Sequence, residues 1–116
     1  ADVLLMYAEA VYDTDPTTAI SYVNMVRQRA RGENDASVVP DLDGNLSGQA
    51  LLEAIYHERR VELAGEGFRY HDLIRTDRAE ALLGPLGFKK GLHEIMPIPL
   101  SQIDLSQGVL VQNPGY

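Results

Sequence analysis

A mainly α-helical fold is predicted by three features of these 116 residues. Apolar side chains recur at steps of three and four over residues 3–31 and again from residue 49, the spacing of one helix face. Asp15-Pro16 places a capping carboxylate before a proline that is already bent for a first helical turn, which marks a corner between two helices. Ile95-Met96-Pro97-Ile98-Pro99 alternates proline with apolar residues, so the tail runs extended or polyproline-like and lies as a strap across the helices.

Taken in order, residues 3–12 are strong helix formers, and Asp13 to Asp15 interrupt them. A second helix from Pro16 to about Arg31 carries the stripe Ala19, Ile20, Val23, Val26 and Ala30 and stops at Gly32. The two are expected to form an antiparallel hairpin over residues 1–32. Ala8 and Ala19 near the corner permit close approach, as in tetratricopeptide-type helix pairs, although no second copy recurs at a 34-residue period. Residues 33–48 collect Glu, Asn, Asp, Ser, Pro and Gly and read as a surface loop. A third helix is expected from about Gln49 to Glu66, capped by Ser47 and closed by Gly65-Glu66-Gly67. Short helices follow over Tyr70–Arg75 and Asp77–Leu83, completing a helical stretch over 49–83. The tail, 84–116, opens with the Gly84-Pro85-Leu86-Gly87 turn; Ser101 to Asp104 reads as a capping box, Gly108 closes that helix, and Gln112 to Tyr116 form a turn. The whole is expected to be a single helical subdomain of a longer chain.

Composition removes several functions. Ten Lys and Arg against 17 Asp and Glu give a net charge of −7, which repels nucleic-acid phosphates and anionic lipid head groups. With no cysteine there is no disulfide framework, thiol catalysis or iron–sulfur cluster. The longest wholly apolar run, Val3 to Ala8, falls far short of the ~20 residues of a spanning helix. Asp2 stands where a signal peptide would be basic, and the opening helix begins without its own entry signal.

The third helix holds the main anomaly. Leu51, Leu52 and Ile55 define an apolar face that continues, by steps of three and four, onto Glu58, Arg59, Glu62 and Glu66. An unpaired buried charge is prohibitively costly, so the inward carboxylates must meet Arg59 and further bases. Arg69 and Arg75 are the nearest candidates, with Asp72 three residues from each, and the set Glu58, Arg59, Glu62, Arg69, Asp72 and Arg75 is expected to form a structural ion-pair network. An acid/base or metal-ligand reading of Glu58 and Glu62 is weaker. Glycosidase carboxyls flank a substrate bond across a cleft, whereas these project from adjacent turns of one helix among arginines that depress carboxylate pKa values.

Other motifs fail for identifiable reasons. His57-Glu58 begins the zincin pattern, but its second histidine position is Val61. His71 and His93 are scattered, and Tyr70-His71-Asp72 has no nucleophile motif to serve. Asp41, Asp43 and Asn45 alternate like calcium-loop ligands, yet the glycine position holds Leu46 and the closing bidentate position holds Leu52, so a plain turn is expected. Arg27, Arg29 and Arg31 read as compensation of the second helix dipole. No cofactor and no metal is implied.

One ordered set of motifs runs through nearly the whole chain: Tyr7-Ala8-Glu9-Ala10, Val26 to Ala30, Ile55 to Leu63, Glu66-Gly67-Phe68-Arg69, Asp72 to Arg75, Met96-Pro97-Ile98-Pro99 and Gln112-Asn113-Pro114-Gly115-Tyr116. It resembles the C-terminal part of the SusD/RagB family of outer-membrane nutrient-binding lipoproteins. The resemblance implies a mainly helical protein with tetratricopeptide-like helix pairs, lipid-anchored at the surface of Bacteroidetes-type bacteria through a lipidated N-terminal cysteine absent here. It implies a non-enzymatic protein that binds glycans, or in some members peptides, and caps a SusC-like TonB-dependent transporter. The glycan-contacting aromatics of such proteins generally lie upstream, and this chain has no Trp and no clustered aromatic platform, so no binding residue is carried over. The expected role is therefore scaffold, with a helical-repeat adaptor gripping a peptide or partner helix as the alternative. An isolated chain of this kind is expected to self-associate or to be marginally stable.

Overall fold

A computed structural model describes all residues 1–116, and they form helices and turns without a strand. The helices are α1 (Asp2–Val11), α2 (Pro16–Arg31), α3 (Gly48–Glu62), α4 (Phe68–Arg75), α5 (Ala79–Leu83) and α6 (Leu100–Leu105), with a 3₁₀ turn at Gly84–Leu86. The chain gathers into two compact units, residues 1–69 and 70–116.

In the first unit the α1–α2 hairpin forms as anticipated, because the corner is built from local signals. The Asp15 carboxylate accepts from Thr18 N–H at 3.0 Å, and Pro16 occupies the first turn. Leu5 and Ala8 of α1 and Ala19, Ile20, Val23 and Val26 of α2 are buried with Leu51 and Ile55 of α3 in one apolar cluster. Tyr7 meets Tyr22 edge-on with ring centroids 4.9 Å apart, which ties the hairpin outside that core. Ala30, placed on the α2 stripe, is exposed instead.

Helix ends differ from expectation where glycines or prolines take control. The third helix stops at Glu62 rather than Glu66, because Gly65 and Gly67 both hold positive φ and turn the chain out of the helix; Glu66 is exposed. Ser47 makes no side-chain capping bond. The fourth helix begins two residues early at Phe68, and the fifth begins at Ala79 because Asp77 is left-handed at φ 53°. Asp77 N–H bonds Ile74 O at 3.0 Å and Arg78 N–H bonds Leu73 O at 2.8 Å, a Schellman closure with aspartate where glycine is usual. In α6, Pro99 is the cap residue and Ser101 lies inside the helix, so the anticipated capping box is not formed. The helix starts earlier instead, with Pro99 O accepting from Gln102 N–H at 2.9 Å.

The second unit has a different basis. Leu73 and Ala79 are its buried apolar residues, and Tyr70, Phe88 and His93 stack edge-on in series, with centroids 6.4 and 5.7 Å apart. The Tyr70 hydroxyl donates to His93 O, and His93 Nδ1 accepts from Lys89 N–H at 3.1 Å.

Candidate functional site

The ionic anomaly of α3 is real. Glu58 and Arg59 are each only 5% exposed, at the positions where the Leu51–Ile55 face continues. What satisfies them comes from elements far away in sequence. Glu58 Oε2 accepts from Arg27 Nη1 at 2.6 Å, Glu62 pairs with Arg29, and Arg59 Nη1 donates to Asp2 Oδ1 at 2.8 Å. Thus α2 supplies the bases for both carboxylates, while the first turn of α1 supplies the acid for the arginine. Asp2 is well placed for this, since a carboxylate at a helix N-terminus also faces the positive end of the dipole.

The basic run of α2 therefore does more than complement a dipole. Arg27 Nε donates to Pro40 O at 2.6 Å, Arg31 Nη1 donates to Val39 O at 2.8 Å and pairs with Asp41 at 3.2 Å, and Asn24 Oδ1 accepts Leu42 N–H at 2.8 Å. Asn24, Arg27 and Arg31 fall at steps of three and four, so one polar stripe of α2 fastens residues 39–42 beside the apolar stripe. Arg27 belongs to both arrangements. Its inward placement was legible in principle, because Val23 plus four is Arg27, the same kind of continuation that draws Glu58 inward.

Asp72 pairs with Arg75 at 2.8 Å within α4, a local contact three residues apart, and Arg69 is half-buried where α4 begins. Asp43 Oδ1 accepts from both N–H groups of Asn45, at 2.9 and 3.0 Å, while Asp41 faces Arg31. Their oxygens are committed to a turn and an ion pair. No group of three or more His, Cys, Asp or Glu side chains is arranged to hold a metal, and His57 and His71 are exposed. No buried side-chain nitrogen or oxygen lacks a hydrogen-bond partner. Chemically, this is a site that locks three helices and a loop together, with Glu58, Arg59 and Glu62 each held in an ion pair.

The model of the SusD family matches residues 1–91. The chain belongs to the SusD family. The SusD-like protein P2 of Formosa agariphila is 31% identical over 124 residues, spanning 100% of this chain and 25% of that relative. A solved laminarin-binding SusD-like protein is 40% identical with a TM-score of 0.73, matched over 99% of this chain and 22% of its own. A crystallised SusD homologue from Bacteroides thetaiotaomicron VPI-5482 is 33% identical with a TM-score of 0.77, again over 99% of this chain and 26% of its own. This SusD-family chain thus spans about a quarter of the length of these relatives.

Proposed function

We propose that these residues are the C-terminal scaffold of a SusD-like cell-surface protein that binds a glycan, is lipid-anchored in the outer membrane, and hands its ligand to a SusC-like TonB-dependent transporter. The observation carrying this reading is the 40% identity, at a TM-score of 0.73, to a SusD-like protein that binds laminarin. The side chains support a scaffold role within it and a non-enzymatic one. Glu58 and Glu62, the residues best suited to acid/base work, are held by Arg27 and Arg29. Sugars are held on flat aromatic faces, whereas Tyr7 and Tyr22 meet edge-on at 63° and offer no joint platform.

Calorimetric titration of the intact protein with laminarin and a panel of other glycans tests the proposal. Saturable binding by the intact protein, with none by residues 1–116 alone, is expected. An intact protein that binds no glycan, or that hydrolyses one, would remove the reading; binding by the short chain would move recognition into it. Co-purification of the intact protein with a TonB-dependent transporter tests the delivery step separately.

A further inference from the structure

Gln112 bonds both backbone polar groups of one residue across a thirteen-residue loop. Its Oε1 accepts Ile98 N–H at 2.8 Å and its Nε2 donates to Ile98 O at 2.9 Å. The carboxamide, having one acceptor and a donor, pairs with Ile98 as a facing strand would. A side chain does this because Pro97 and Pro99 have no N–H, so Ile98 carries the sole backbone donor of that stretch and no regular ladder can form on it. The neighbouring residues extend the same pattern. Asn113 Nδ2 donates to Met96 O at 2.6 Å, and the Tyr116 hydroxyl lies 3.0 Å from Ile95 O and 3.3 Å from Leu92 O. Asn113 N–H returns to Gln112 Oε1 at 2.9 Å, holding the carboxamide in place.

We propose that Gln112–Tyr116 is a latch: its side chains close the neck of the 99–111 loop on the Leu92–Ile98 strap, so that strap, loop and latch open and close as one unit, independently of the apolar core of residues 1–69. Packing cannot supply this closure. Leu100, Leu105, Val109 and Val111 inside the loop are all exposed, so beyond the internal turns of α6 and the Ser106 bonds it is the hydrogen bonds at its neck that close it. Gly115 fits the latch to the strap. It sits at φ 93°, and a Cβ there would meet Leu92 Cδ1 at 2.5 Å.

The test is amide hydrogen exchange at neutral pH on the intact protein, comparing wild type with Gln112→Glu and Tyr116→Phe. Gln112→Glu keeps the size and the acceptor for Ile98 N–H but replaces the donor with a carboxylate facing Ile98 O. Tyr116→Phe removes only the hydroxyl. Each is expected to speed exchange across 95–111 together, by about tenfold for the loss of a hydrogen bond, with Val23 and Ile55 unchanged. Unaltered exchange at Ile98 in Gln112→Glu would overturn the latch. So would faster exchange confined to the residue whose bond was removed, which means separate contacts, or equal acceleration at Val23 and Ile55, which means one cooperative fold.

Discussion

Arg27 lies between Glu58 at 2.6 Å and the carbonyl of Pro40 at 2.6 Å, so a single guanidinium joins α2, α3 and the loop between them. The planar, forked donor set of arginine makes this possible; lysine has one nitrogen and could not span the two acceptors in the same fixed geometry.

Truncating Arg27 to Ala leaves Glu58 buried without its base, and a loss of about 3 to 5 kcal/mol is expected, the usual result of orphaning a buried charge. Replacing the pair together, with Arg27→Met and Glu58→Leu, is expected to cost less than Arg27→Ala alone. Urea unfolding measures both through the midpoint at constant slope. A single variant less damaging than the double would mean that the ion pair is not what satisfies Glu58.

Arg59→Ala is expected to be as severe, about 3 to 5 kcal/mol, because Arg59 is buried and gives up its contact with Asp2. Asp2→Ala is expected to cost less, since Asp2 is one-third exposed and water can reach the vacated side. Equal midpoints for wild type and Arg59→Ala would place Arg59 at the surface.

Much of the fold was legible because its signals are local. Asp15-Pro16, Gly32 and the step-of-three stripe from Ala19 to Val26 each act within one or two turns, and all hold their expected places except Ala30. The burial of Glu58 and Arg59 was legible for the same reason: helix periodicity carries Leu51 and Ile55 onto them. Their partners were not. Arg27 is 31 residues from Glu58 and Asp2 is 57 from Arg59, separations set by how three helices pack rather than by any local pattern. Proximity in sequence pointed to Arg69 and Arg75, and nothing local announced that the hairpin also brings Arg27 and Arg29 to Glu58 and Glu62. Gln112 was illegible for a related reason, since a polar residue in an aperiodic tail gives no sign that its carboxamide will pair with Ile98.

The helix cap at Asp15 gives a pH dependence with a definite sign. Hydrogen bonds from Thr18, from its hydroxyl and its backbone N–H, hold the Asp15 carboxyl below the ordinary carboxylate range. A lowered folded-state pKa contributes stability that is complete above the unfolded value, about 3.9, and is lost as pH falls through the folded value. Asp15→Asn keeps a capping acceptor that does not titrate. The stability difference between wild type and Asp15→Asn is therefore expected to be flat at neutral pH and to shift against wild type only below about pH 4. Thermal melts across that range check it; a difference that changes between pH 6 and 8 would remove Asp15 as its source.

Core truncation should separate the first unit from the tail. Ile55 is fully buried among Leu5, Val23 and Leu51, and Ile55→Ala is expected to cost about 2 to 5 kcal/mol through lost burial and the cavity left behind. Leu105 is 76% exposed, and Leu105→Ala is expected to change the same midpoint by no more than about 0.5 kcal/mol. Comparable losses from both would mean that α6 is packed rather than displayed.

The apolar side chains left in water decide how residues 1–116 behave alone. Val3 and Met6 of α1 are exposed apolar side chains, Tyr7 is half exposed beside Tyr22, and Met25 of α2 is exposed as well. In the tail, Leu100, Leu105, Val109 and Val111 add a further set. Scattered exposed leucines are ordinary, but several exposed apolar side chains on one segment add up to a patch that is ordinarily covered. With a net charge of −7 opposing close approach, burial of these faces and mutual repulsion compete, and at physiological salt the repulsion is screened over about 8 Å. Residues 1–116 are therefore expected to self-associate with rising concentration, more strongly at high salt. Sedimentation velocity over a range of concentrations, with Met6→Glu and Leu105→Glu as separate variants, measures which face is responsible. A monomer at every concentration and salt level would mean that repulsion outweighs the burial of either face.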